Sequence, residues 1–579
     1  RPVIFAMRIE LPEMLYGRVL EIDERVSAQG EVLAPLDERT ARAGLQAAWE
    51  AGYRVVAIVL LHGYRHTAHE AAVARIAREI GFGQVSASHE VSPLMKMVSR
   101  GDTTVVDAYL SPILRRYVNQ VAGELGDVRL YFMQSNGGLA DAHRFQGKDS
   151  ILSGPAGGVV GAVETARSAG FERIIGFDMG GTSTDVSHFN GSFERAFETL
   201  VAGVRMRAPM MQIHTVAAGG GSILFFDGTK YRVGPESAGA SPGPAAYRRG
   251  GPLTVTDCNV MLGKLVPDFF PPVFGPNADQ PIDDAVVQRK FAGLAARIEA
   301  ETGDSRTPEQ VAAGFLKIAV ENMANAIKEI SIQRGYDVTD YVLNSFGGAG
   351  GQHACLVADA LGMTRVFLHP LAGVLSAYGM GLADLRAIRE RAVEARLSAE
   401  IVPQLERTLA ELSGEGAADM EAQGIPARAV EVLRKAHVRY DGTDAAMVVD
   451  FGSDSDIKRN FETAHRQRYG FIVPDKALVV EAVSVEIVGR TEQVSDPALP
   501  ARTEGKLRPR RNGRIYTGDA WHEAPIYRRE ALMAGDTVDG PAIVIESIAT
   551  VVVESGWRAE MTDRAHLVLT RVVPLVRQH

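Results

Sequence analysis

Two aspartates, Asp178 and Asp185, bracket a glycine turn in the run Gly176-Phe177-Asp178-Met179-Gly180-Gly181-Thr182-Ser183-Thr184-Asp185-Val186. Apolar Ile174 and Ile175 precede it, so the run reads as a strand entering a tight turn and leaving as a second strand. Glycines let a backbone approach a ligand closely and leave N–H groups free to cradle phosphate oxygens. Carboxylates on either side could hold Mg²⁺, directly or through water. The same run would also serve as an ordinary hairpin turn.

Matching parts occur elsewhere in the chain. Val216-Ala217-Ala218-Gly219-Gly220-Gly221-Ser222 is a second glycine loop, and Ser345-Phe346-Gly347-Gly348-Ala349-Gly350-Gly351-Gln352-His353-Ala354-Cys355 is a third. The third follows an apolar run at 341–343 and precedes a helix predicted over 354–361. Strand, glycine loop and helix together bring backbone amides and a helix N-terminus to an anion. None of the three has the P-loop pattern, and the third lacks the dinucleotide G-x-G-x-x-G in its βαβ setting. A nucleotide site assembled from separated glycine turns fits an α/β, actin-like ATPase (ribonuclease H-like) architecture. In that layout two phosphate hairpins and a late adenosine-binding G-G segment converge on a cleft between two lobes.

The surrounding elements alternate between helix and strand. Helices are predicted over 38–52, 69–80, 110–125 and 159–168, with strands over 53–61 and 128–134 between them. Such alternation points to α/β layers with a mainly parallel sheet. Thr307, Pro308 and Gln310 form a helix start, with a cap, Pro at the first position and a partner three residues on. That helix is predicted to reach about residue 333. Past residue 386 an amphipathic helix at 396–423 gives way to strands at 477–487 and 542–553. The expected domains are therefore 1–168, the rest of a first lobe; 169–388, a second lobe with a Gly/Pro-rich insertion at about 190–300; and 389–579, an α+β domain that is mostly β.

Composition narrows the function. The chain has 579 residues, 46% hydrophobic and 23% charged, and a net charge of −9. An acidic balance argues against a nucleic-acid surface, which needs a basic patch; the short Arg508-Pro509-Arg510-Arg511 cluster reads as a solvated loop. Cys258 and Cys355 are too few for a disulfide framework or a cysteine metal site, so a reducing, cytoplasmic setting is expected. No apolar run approaches the roughly 20 residues of a membrane span. The chain opens at Arg1 with no initiator Met, and reads as a processed or truncated product.

Taken in order, several short runs resemble the ATP-dependent hydantoinase/5-oxoprolinase family along essentially the whole chain. They are 152–161 (L-S-G-P-A-G-G-V-V-G), the D-M-G-G-T-S-T-D-V hairpin, A-A-G-G-G-S at 217–222, G-P-E-S-A-G-A at 234–240 and T-V-T-D at 254–257. Gly350-Gly351-Gln352-His353-Ala354-Cys355 resembles the oxoprolinase branch, where hydantoinase-type members read G-G-A-G-P. The resemblance implies the ATP-binding half of an enzyme that hydrolyses 5-oxo-L-proline to L-glutamate. A lactam is a resonance-stabilised amide; phosphorylating its carbonyl oxygen would activate it for water and ring opening.

On that resemblance Asp178 and Asp185 would hold Mg²⁺ and, with Thr182, act catalytically. Gly180, Gly181, Thr182 and Thr184 would meet the transferring phosphate, and Gly219, Gly220, Gly221 and Ser222 the nucleotide phosphates or activated substrate. Gly347, Gly348, Gly350 and Gly351 would face the adenosine, with His214 and Asp257 as substrate contacts. A packed structural role for His214 is an equal reading, and Asp257 lies in a strand-like run. K⁺ is a further candidate ion. Ring opening would fall to a hydantoinase B-like partner unit, fused or separate, in an oligomer. The family's first phosphate hairpin lies upstream of this chain, so the missing N-terminal segment is expected as another piece. Sister activities that use the same ATP chemistry are an ATP-dependent hydantoinase and a ketone carboxylase subunit. An actin-like kinase would instead leave a stable phosphorylated product, and a scaffold subunit would need no small substrate.

Overall fold

The computed structural model describes residues 13–491 and 497–575. The chain divides into two compact units, each assembled from separate stretches. The first is built from the described residues of 1–156, 195–211 and 383–492, and the second from those of 157–194, 212–382 and 493–579. The segment read as a third domain, 389–579, is thus shared between both.

The second unit carries an eight-stranded sheet. Its strands are β1 (Arg173–Met179), β2 (Thr184–Asn190), β3 (Ile213–Val216), β4 (Val342–Phe346), β5 (Arg365–Leu368), β6 (Thr537–Asp539), β7 (Trp557–Met561) and β8 (Leu567–Arg571). They lie in the order β3-β2-β1-β4-β5-β8-β7-β6. Only β1, β4 and β5 run parallel to their neighbours in that trio; the other pairings are antiparallel. The sheet is therefore mixed rather than mainly parallel. Short connections such as the turn between β1 and β2 permit only antiparallel pairing.

Five helices matter to the site: α1 (Ser153–Ser168), α2 (Val255–Met261), α3 (Pro308–Ile330), α4 (Gly350–Leu361) and α5 (Leu375–Leu382). Helix α3 starts as its sequence predicts. Thr307 Oγ1 accepts from Gln310 N–H, Gln310 Oε1 accepts from Thr307 N–H, and Pro308 takes the first turn. Its Val311, Phe315, Ala319, Met323 and Ile327 recur at helical spacing and are buried in one core with Phe177 of β1 and Val186 of β2. Burying such a side chain contributes about 1.5–3 kcal/mol each.

Helices α1 and α5 touch backbone to backbone. A Cβ on Gly379 would lie 2.0 Å from Gly157 O and 2.5 Å from Gly161 N. Only glycine permits that approach, and it draws α5 against α1. The 254–257 run, read as strand-like, instead opens helix α2.

The first unit holds a six-stranded sheet containing Leu385–Arg396, Val430–Tyr440 and Leu478–Gly489, with helix Val402–Ala422 packed on its apolar face. The same sheet carries a buried ionic cluster. Arg195 makes two 2.8 Å bonds to the Glu486 carboxylate, which also pairs with Arg386. Among the described residues no helix is long and apolar enough to cross a membrane. Cys258 and Cys355 are free and buried.

Candidate functional site

Asp178 and Asp185 stand directly opposite each other across β1 and β2. Alternation along the strands puts both carboxylates on one face, while Phe177 and Val186 enter the core on the other. The four-residue turn between them is closed by Gly180 N–H donating to Ser183 O at 3.1 Å. Asp185 Oδ1 accepts from Thr215 Oγ1 of β3 at 2.6 Å. Asp178 Oδ2 accepts from Ser376 Oγ of α5 at 3.3 Å. Among the described residues the remaining oxygen of each carboxylate accepts no hydrogen bond. Burial and then the Asp185 charge push the Asp178 carboxyl up to about 6, against the Ser376 hydrogen bond.

The second glycine loop is buried, and its amides are spent inside the protein. Gly219 N–H donates to Ser222 Oγ at 2.9 Å, and Ser222 N–H to Gly219 O at 3.1 Å. Gly220 and Gly221 N–H donate to Gly180 O at 3.1 Å and Gly181 O at 2.6 Å. A Cβ on Gly219 would sit 2.5 Å from the Thr182 carbonyl carbon, so glycine there admits backbone stacked on backbone. Buried Thr184 joins this buttress through Oγ1 to Ala218 O at 2.7 Å. Gly219, Gly220, Gly221 and Ser222, expected at the nucleotide phosphates or activated substrate, and Thr184, expected at the transferring phosphate, thus have their donors engaged within the protein, where they support the hairpin.

The third loop meets the hairpin at its carboxylate. Gly347 has φ +79°, and a Cβ on it would lie 2.4 Å from Asp178 Oδ1. Ala349 N–H donates to Met179 O at 3.0 Å. Gly350 and Gly351 are buried at the start of α4, where a Cβ on Gly351 would stand 2.8 Å from Thr550 O. Three positions stay open. Gly181, Thr182 and Gly348 are exposed, and their amides donate to no acceptor among the described residues. No atom lies within 4 Å of a Cβ built on Gly181 or Gly348.

These open amides crown the carboxyl ends of the parallel neighbours β1 and β4, where α/β sheets bind ligands. The donor set fits a nucleotide with Mg²⁺. That ion keeps several waters and takes one or two carboxylates together with phosphate oxygens. Among the described residues no group of three or more His, Cys, Asp or Glu side chains could hold a metal alone.

Two expected substrate contacts lie elsewhere. His214 pairs with Val186 across β3 and β2, so it shares the opposite face; its Nε2 is 3.4 Å from Glu329 Oε2 of α3. Asp257 is fully buried. Its carboxylate accepts from Thr254 N–H at 2.8 Å, Thr254 Oγ1 at 3.0 Å, and the amides of Ala245 and Ala246 at 3.0 and 2.8 Å. It therefore caps α2 with Thr254, and T-x-x-D was the readable signal for that cap. Asp257→Ala strands the buried amides of Thr254 and Ala246, Ala245 N–H keeping Pro252 O at 2.9 Å, and is expected to lower stability by about 2–4 kcal/mol, as measured by urea unfolding; an unchanged midpoint would contradict the capping role. Thr215 and Ser376, which hold the two aspartates, went unread. Nothing local to either residue marks it.

Residues 100–389 match the hydantoinase/oxoprolinase family model, residues 1–81 its N-terminal region and residues 392–571 its C-terminal domain. The chain belongs to the hydantoinase/oxoprolinase family. It is 36% identical to 5-oxoprolinase of Dictyostelium discoideum, over 97% of its own length and 48% of that protein's. It is 38% identical to 5-oxoprolinase 1 of Arabidopsis thaliana, over 98% of its own length and 48% of that protein's. This hydantoinase/oxoprolinase chain thus spans about half the length of the curated relatives it matches. The crystal structure of ATP-dependent caprolactamase from Pseudomonas jessenii superposes with a TM-score of 0.86 at 28% identity, covering 95% of this chain and 82% of that one. The mixed α/β fold is common to both.

Proposed function

We propose that the second unit is an actin-like ATPase lobe that binds Mg·ATP at the hairpin of β1 and β2. In this reading the chain is the ATP-using part of an enzyme that hydrolyses 5-oxo-L-proline to L-glutamate. The observation that carries it is the 36–38% identity to two named 5-oxoprolinases along nearly the whole chain. A hairpin leading the β3-β2-β1-β4-β5 order, with β1, β4 and β5 parallel, supports the lobe layout.

Mg·ATP supplies a transferable phosphoryl group whose charge must be neutralised as it moves. The chain's part is positioning. Asp178 and Asp185 hold the metal from one face of the sheet, Thr215 and Ser376 fix their rotamers, and the amides of Gly181, Thr182 and Gly348 receive phosphate oxygens. The lactam oxygen takes the terminal phosphoryl group as ADP leaves. Water then adds to the activated carbon, the ring C–N bond breaks, and hydrolysis of the resulting acyl phosphate releases phosphate. Ring opening belongs to a hydantoinase B-like partner half, the part that the longer relatives would carry.

The test is ADP release by the chain with that partner half restored, in Mg²⁺ and K⁺. 5-Oxoproline, hydantoin, caprolactam and acetone are offered in parallel. ADP and glutamate formed in step from 5-oxoproline are expected. A response confined to another compound would reassign the substrate, and ADP release indifferent to all four would overturn the lactam reading.

A further inference from the structure

Helix α2 is seven residues long and carries three polar side chains, each bound to a different part of the site's surroundings. Asp257 caps the helix itself. Thr256 holds the second glycine loop: its N–H and Oγ1 both donate to Gly220 O, at 2.8 and 2.9 Å. Asn259 lies three residues on, close to the same helix face. Its Nδ2 donates to Gln352 Oε1 at 2.8 Å and meets His353 Nε2 at 3.1 Å. Gln352 and His353 are in the first turn of α4, directly after the third glycine loop.

The loops meet at a single atom position. A Cβ built on Gly220 would lie 2.8 Å from Thr256 Oγ1, 3.9 Å from Gly180 O and 4.0 Å from Ala349 Cβ. Hairpin, second loop and third loop therefore converge at Gly220, and α2 grips two of them from behind.

The grip is poor as a device for stability. Asn259 and His353 are 0% and 1% exposed, yet among the described residues Asn259 Oδ1 and His353 Nδ1 have no hydrogen-bond partner. A buried polar atom left unpaired is destabilising, and an apolar contact would pack two helices without that cost. What the polar bridge provides is a fixed register between the start of α4 and α2, since a hydrogen bond is directional where an apolar contact slides.

We infer that Thr256 and Asn259 are positioning residues that hold the second and third glycine loops in register with the Asp178 hairpin, so that Gly181, Thr182 and Gly348 present their amides together. The inference rests on the nucleotide reading of that site. Neither side chain touches the open face, so each acts through the loops it holds.

Calorimetric titration of Mg·ATP into the full chain tests it, beside thermal melts without nucleotide. Asn259→Leu keeps the shape and removes the bridge; binding is expected to weaken at least tenfold while the melting temperature stays within a few degrees of the parent. Should Asn259→Leu fail to fold, the isosteric pair at 256 carries the test: Thr256→Val is expected to bind more weakly and Thr256→Ser to bind as the parent does. Undiminished binding by the bridge-breaking variants, or weakening that only follows a fall in melting temperature, would overturn the inference. Mg·ATP left unbound by the parent chain would instead overturn the nucleotide reading beneath it.

Discussion

Asp178→Asn is expected to reduce substrate-dependent ADP release by a factor of about 100–1000 and, in the same protein, to raise the melting temperature of the nucleotide-free form at pH 8. The loss follows from the site's chemistry. Removing one positioned group that balances charge in the transition state typically costs that factor, and Asn cannot supply the negative charge that draws Mg²⁺. The gain follows from burial. The Asp178 carboxyl sits at about 6 against an ordinary 3.8, so between those values the folded chain keeps a proton that the unfolded chain has released. Stability therefore falls as pH rises through this window, and the full cost, on the order of 3 kcal/mol, is present above about 6. Asn carries no charge and still accepts from Ser376, so the cost disappears. The stabilisation is expected at pH 8, to shrink between about 6 and 4, and to vanish below. Melting curves for both proteins across that range check it; coincident curves at pH 8 would show that Asp178 carries no buried charge.

Gly347→Ala is expected to damage both fold and site, and Gly348→Ala the site alone. At 347 the new methyl would stand 2.4 Å from Asp178 Oδ1 and 2.5 Å from Met179 O, on a backbone with φ +79°. Left-handed strain costs about 1–2 kcal/mol and forced overpacking about 1–3 more. The backbone oxygen cannot rotate away, so the loop must move and take the carboxylate with it. At 348 no atom lies within 4 Å of the new methyl, and folding is expected to be unaffected. The methyl would then project into the open space that the proposed nucleotide needs. Urea midpoints and Mg·ATP titrations of the two variants separate the effects. Equal midpoints for both would mean that the third loop relaxes freely, which its hydrogen bonds to Met179 O and Ala372 O oppose.

The hairpin was readable because its signal is local: apolar strand, glycine turn and strand lie within one short run, and the fold realises them as β1 and β2. The start of α3 was readable for the same reason, since its cap, proline and Gln310 are neighbours in sequence. What escaped is of two kinds. Glycine richness shows that a backbone approaches something closely, without saying what. At 219 and 221 that something is the hairpin's own backbone, at 220 it is the Thr256 hydroxyl, and at 181 and 348 it is open space. At 254–257, β-branched Thr and Val suggested a strand, whereas the T-x-x-D cap decides for a helix. Ser376 belongs to the second kind. It reaches Asp178 only because Gly157, Gly161 and Gly379 let α1 and α5 come together, a contact between segments far apart in the chain.

The sheet order also bears on how this protein is made. Strand β5 lies between β4 and β8, and Arg365 is paired with Thr570, which comes much later in the sequence. A ribosome adding about 5–20 residues per second needs on the order of 10–40 s to travel from one to the other. Throughout that interval β5 offers a row of unpaired N–H and C=O groups, the kind of edge on which nascent chains pair with one another. β8 is the lid for that edge, and it is translated only at the close of that interval.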